Sequence, residues 1–186
     1  PAMGSHGGAT AEGQKTVLSS LGVTKESVGC PIRATMEVVE IGRTKSHLPV
    51  YVDAYAYGAD GIILLNRVKP HTDFRGEIES GLHKMMAIGL GKQKGAETCH
   101  FYGFGELVKH IMEMSDVILE KMNVLFGMAI IENAYHETSR IVSLKKEEMG
   151  EEAELLKEAK GNMPRIMFDD IDVLIVDEIG KEISGD

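Results

Sequence analysis

Seven histidines and a dense run of charge mark where this sequence could do chemistry. Imidazole titrates near neutrality and also ligates metals, so each histidine is a candidate acid, base or ligand. His47, His110 and His136 sit in polar loops or on an amphipathic helix pattern and read as structural or surface residues. His83 stands beside Lys84 and has a weaker claim to that bland reading. His6, His71 and His100 differ in context. His6 falls in Gly4-Ser5-His6-Gly7-Gly8, a turn with little side-chain bulk around it, expected at the end of a strand. His71 follows directly on the apolar run Ile62 to Val68. Ligands of open α/β sheets bind at the carboxyl ends of parallel strands, so two such histidines could meet over one crevice.

The segment Lys69 to Lys84 is the densest in polar groups. Lys84 leads into Met85-Met86-Ala87-Ile88, so its amine lies at a polar–apolar boundary. Desolvation there lowers the cost of losing the charge and favours a nucleophilic or covalent role, although snorkelling to water is the commoner outcome. Gly89-Leu90-Gly91-Lys92 fits neither GxxxxGK[ST] nor GxGxxG, and no zinc-protease signature occurs. The two cysteines, Cys30 and Cys99, form no CxxC and support neither a disulfide framework nor a zinc ribbon.

The elements that must position these groups follow from periodicity. A helix is expected from Thr10 to Leu21, capped by Thr10 and ended by Gly22. Ile32 to Ile41 reads as a strand, and Val50 to Tyr57 fits either a strand or a helix. Ile62 to Val68, Val124 to Glu132 and Asp172 to Asp177 have the continuous apolar pattern of strands buried on both faces. Arg140 to Leu144 is an antiparallel neighbour. Leu82 to Ile88 is a short helix, Gly89 to Gly95 a glycine turn, Gly105 to Met122 an amphipathic helix, and Glu147 to Lys160 a charged helix with a solvated acidic face. The alternation implies an α/β fold: a largely parallel sheet with flanking helices, a Rossmann-like three-layer lobe.

Composition bounds the rest. The chain has 186 residues, 43% hydrophobic and 26% charged, with a formal net charge of −9. It can bury a core, lacks any membrane-length apolar run, and is too acidic for a typical nucleic-acid binder. A reducing, cytoplasmic setting is expected. A start at Pro1 and an end just after a strand-like run suggest one incomplete lobe, residues 1–186, of a larger protein whose second lobe is absent.

The order Gly-Ser-His-Gly-Gly, Lys-Pro-His, a glycine-bearing loop ending in Lys84, then His100 resembles the nickel-pincer lactate racemase family of 2-hydroxy-acid racemases and epimerases. The resemblance spans Met3 to about His100. It implies that His6 and His71 are the paired acid/base histidines, and that Lys84 covalently holds a nickel-pincer nucleotide (pyridinium-3,5-bisthiocarboxylic acid mononucleotide nickel). It also implies that His100 ligates the nickel. It further implies a small 2-hydroxy acid as substrate, inverted by transfer of its C–H hydrogen as hydride to the cofactor. The charged stretch Thr72 to His83 departs from the family's Phe- and Gly-rich pattern and marks a divergent subfamily. Arg67, Lys69 and Arg75 are the local candidates for the substrate carboxylate. Two other readings stand beside this one: a zinc- or iron-dependent enzyme using His6, His71 and His100 directly, and a non-catalytic ligand-binding domain.

Overall fold

A computed structural model describes residues 1–178. Its centre is a three-stranded sheet of order β3-β4-β5, built from β3 (Ile62–Arg67), β4 (Val124–Glu132) and β5 (Thr138–Lys145). β3 and β4 run parallel, whereas β4 and β5 run antiparallel. The parallel pair needs a long crossover. Helix α6 (Leu107–Lys121) supplies its last leg, burying Leu107, Ile111, Met114 and Ile118 along one stripe. A separate antiparallel hairpin, β1 (Val38–Arg43) with β2 (Pro49–Asp53), packs on the same helix. The α/β class with helices flanking the sheet is therefore the observed one.

Local chemistry explains the remaining elements. Helix α1 (Ala11–Ser20) starts where the Thr10 hydroxyl accepts the Gly13 N–H at 3.0 Å, the capping bond expected of threonine. A single turn, α2 (Lys25–Val28), is closed by a Thr24–Ser27 capping box. The ambiguous stretch Val50 to Tyr57 is both strand and helix: β2 ends at Asp53, whose carboxylate caps the turn α3 (Ala54–Tyr57). Beyond the irregular loop 71–81, α4 (Leu82–Lys84) runs into a π-helical turn (Met85–Leu90) and then α5 (Lys92–His100).

The glycine turn expected at Gly89 to Gly95 is in fact helical. Gly91 is there for close approach: a Cβ on it would lie 2.3 Å from the Ala87 carbonyl oxygen. The charged helix begins as a 3₁₀ turn (Lys146–Glu151) and continues as α7 (Glu152–Gly161), with Leu155, Leu156 and Ala159 buried.

Three expectations are corrected. β3 is not buried on both faces: Ile62 and Leu64 point inward, while Ile63 and Leu65 are 54% and 57% exposed. Asp172 to Asp177 is not a buried strand. The segment is irregular, with Val173 76% and Ile175 83% exposed, because an apolar run becomes a strand only when a neighbour takes its N–H and C=O groups. The acidic run is not wholly solvated, since Glu152 is buried. Among the described residues, no helix is long and apolar enough to cross a membrane.

Candidate functional site

His6, His71 and Lys84 line one cavity of about 670 Å³, together with Arg67, Lys69 and Asp73. Its apolar wall includes Leu21, Met85 and Ile88. Three cationic side chains, of which Arg67 is paired to Glu132, and two imidazoles line the cavity with one carboxylate. Such a site suits an anion with an apolar part.

His6 sits on a turn that sequence and packing both force. Gly7 has φ +65°, and a Cβ there would meet the Gly13 backbone at 2.5 Å, so only glycine lets the turn close onto α1. The buried Gln14 side chain donates to the carbonyls of Gly4 at 2.9 Å and His6 at 3.2 Å. Gln14 in turn accepts a hydrogen bond from the ammonium of Lys92, a fully buried side chain. Lys92 also donates to the Pro1 carbonyl at 2.7 Å and lies 3.6 Å from the Asp53 carboxylate. Burial pushes the Lys92 ammonium below its ordinary pKa, and Asp53 offsets part of that shift.

His71 follows β3 across the bridge between Lys69 and Ser80, whose N–H and C=O groups pair in both directions. Its N–H donates to Glu79 Oε2 at 2.7 Å. The Asp73 N–H donates to His71 Nδ1 at 3.1 Å. The Asp73 carboxylate lies 3.9 Å from the same Nδ1. Phe74 joins the site's two halves: its ring stacks on His71 at 4.4 Å between centroids, and the Lys84 ammonium lies 5.7 Å from its centre.

Glu79 is buried and carries a partly exposed partner, Lys160, at 2.6 Å. Burial pushes its carboxyl upward. The Lys160 ammonium and the N–H groups of His71 and Gly76 outweigh that and hold it below the usual carboxylate range. His83 is also buried, paired through Nδ1 to Glu152 at 2.8 Å.

His100 is not brought to this cavity. It is exposed at the end of α5, with Nδ1 against the Ala96 carbonyl at 2.7 Å and its ring edge-on to Phe104. Of the candidate carboxylate ligands, Arg67 reaches the cavity but is paired to both oxygens of Glu132, at 3.1 and 2.9 Å. Arg75 does not line the cavity, and its guanidinium donates to the His71 and Phe74 carbonyls. Lys69 lines the cavity. No group of three or more His, Cys, Asp or Glu side chains placed to hold a metal ion occurs among the described residues.

Sequence reasoning did not single out Gln14, Glu79, Glu152 or Lys160. Lys92 appears in the sequence only as part of a glycine turn that fits no phosphate-binding pattern, and nothing local marks it as a buried brace.

No protein-family model matches the chain, and no curated protein does. Among solved structures, the chain is similar in fold to the lactate racemase apoprotein from Thermoanaerobacterium thermosaccharolyticum, with a TM-score of 0.51 and 18% identity. The match covers 63% of this chain and 30% of that one, so the chain spans less than a third of that protein's length. At this identity the likeness is one of fold.

Proposed function

We propose that the cavity is the acid/base and cofactor-tethering half of a 2-hydroxy-acid racemase or epimerase. The observation that carries this reading is the convergence of His6, from the start of the chain, with His71 and Lys84, from one later segment, on one cavity that Arg67 and Lys69 also line. The lactate racemase apoprotein supports it at the level of fold.

The residues present fit a nickel-pincer nucleotide in two respects. Lys84 places an amine at the cavity wall, and the space is large enough for a mononucleotide beside a small acid. The nickel-ligand role of His100 rests on the family resemblance alone, and His100 does not line the cavity where that nickel would sit. When bound, such a cofactor supplies an acceptor and donor for the hydrogen on the substrate's Cα.

The chain's own residues handle the proton. Inversion requires the hydroxyl proton to leave as the Cα hydrogen leaves with its electron pair, giving a planar 2-oxo acid. Both then return, on the opposite face. Two imidazoles on one cavity allow one to take the proton and the other to give it back. Each ring is the base as a neutral imidazole and the acid as an imidazolium. Direct metal binding by His6, His71 and His100 requires all three at one point, and His100 is not at the cavity.

The test is covalent capture. The chain is incubated with the nickel-pincer nucleotide and its intact mass is measured, with the adduct located by peptide mapping. An adduct on Lys84 that disappears in Lys84→Ala is the expected result. No adduct, or one on another lysine, refutes the reading.

A further inference from the structure

Helix α7 grips the His71–Lys84 segment at two points. At one end, Glu152 Oε2 accepts the His83 N–H at 3.0 Å and pairs with His83 Nδ1 at 2.8 Å, both groups being buried. Its second oxygen, Oε1, is packed against Gly81, where a Cβ would come within 2.1 Å. Among the described residues, Oε1 has no hydrogen-bond partner. At the other end, Lys160 Nζ donates to Glu79 Oε1 at 2.6 Å, and Glu79 Oε2 takes the His71 N–H at 2.7 Å. The two gripping residues are eight apart on one helix, roughly 12 Å at 1.5 Å per residue.

Between the grips lies loop 71–81, whose backbone no helix or extended ladder shapes. Asn66 of β3 adds a third tie, donating to the Gly81 carbonyl at 3.0 Å. Buried ionic contacts are poor devices for stability alone, because desolvation offsets most of their attraction. They do fix geometry, since a carboxylate accepts only from donors at set positions.

We infer that α7 is the brace that sets His71 and Lys84 relative to each other, with Glu79 and Glu152 as positioning residues. Glu79, locked by Lys160, places His71. Glu152 places His83 and so the start of the turn that carries Lys84. The consequence for function rests on the reading of this cavity given above, but the brace itself is tested without it.

Amide hydrogen exchange at His71 and acetylation of Lys84 by acetic anhydride, mapped by mass spectrometry, are measured on the 186-residue chain. Wild type is compared with Lys160→Met, Lys160→Arg and Glu152→Gln. Lys121, which is exposed and distant in sequence, is the internal labelling reference. Lys160→Met raises His71 exchange about tenfold or more, and Lys160→Arg restores it. Glu152→Gln changes Lys84 labelling about threefold or more relative to Lys121, with His71 exchange within about twofold of wild type.

The brace is overturned if folded Lys160→Met leaves His71 exchange within about twofold of wild type. It is equally overturned if protection falls uniformly along the chain, which is global destabilisation. If Lys160→Met does not fold, Glu152→Gln decides: unchanged Lys84 labelling overturns the brace. Cofactor capture at Lys84 is scored separately. Its failure in wild type refutes the proposed function and leaves the brace standing.

Discussion

Replacing Lys92 with methionine tests whether the turn carrying His6 depends on a buried hydrogen-bond donor. Methionine keeps most of the side-chain volume and removes only the ammonium. Two acceptors lose their donor, the Pro1 carbonyl at 2.7 Å and Gln14 Oε1, and the Asp53 carboxylate loses a cation 3.6 Å away. Asp53 still accepts the Tyr55 and Ala56 N–H groups, and its distance from Lys92 exceeds a hydrogen bond, so its share is small. The other two acceptors cost about 1–3 kcal/mol each when left buried and unpaired. Relief from burying the ammonium offsets part of that, so the net loss is about 3 kcal/mol. For a chain of this length that lowers Tm by roughly 6–12 °C. Thermal and urea unfolding followed by circular dichroism read the loss, with the exposed Lys121→Met as control. A second signature lies in pH. The folded pKa of Lys92 lies below its ordinary value. Between that pKa and about 10.4 the unfolded state therefore binds a proton that the folded state has released, and stability rises with pH. Below both values the burial cost stands in full. The difference between wild type and Lys92→Met therefore widens as pH rises through this window. A loss under about 1 kcal/mol, or a difference that narrows with rising pH, refutes the assigned role of Lys92.

Three further outcomes are expected. Glu79→Gln removes a carboxylate whose folded pKa is depressed. The stability that Glu79 adds is full above about 4.3 and lost as pH falls through its folded pKa, so acid titration of unfolding in the variant lacks that loss. Gly13→Ala places a Cβ 1.8 Å from the Gly7 carbonyl oxygen. It costs about 1–3 kcal/mol in urea unfolding as α1 is pushed off the His6 turn, and a variant as stable as wild type would show that this contact is loose. Burial pushes the Cys99 thiol up to about 12, while Cys30 is exposed, so a thiol reagent at pH 8 titrates one cysteine per native chain and two in denaturant.

What could be read from the sequence was whatever local pattern decides. The Thr10 cap, the α6 stripe and the β4–β5 hairpin each follow from neighbours within a few residues, and all three form. The four candidate residues were distinguishable by context, and His6, His71 and Lys84 share a cavity. What local pattern could not supply was long-range pairing. Glu79 meets Lys160 across 81 positions, His83 meets Glu152 across 69, and Gln14 meets Lys92 across 78. None of these pairs has a spacing that marks it, because a buried polar contact is created by the fold that brings its members together. The same holds for Asp172 to Asp177, whose apolar run states a preference for burial without naming the surface that would satisfy it.

The two cavity histidines are held in different ways, and this bears on their chemistry. His6 is exposed on a glycine turn and is anchored through its backbone carbonyl by Gln14. His71 is stacked on Phe74, anchored through its N–H by Glu79, and engaged at Nδ1 by Asp73. The turn of His6 is thus tied to α1 through Gln14, and His71 to its own loop through Glu79 and Asp73. An acid/base pair that must serve both faces of a flat 2-oxo acid needs its protons on opposite sides, not identical surroundings. The asymmetry is therefore compatible with a two-histidine inversion.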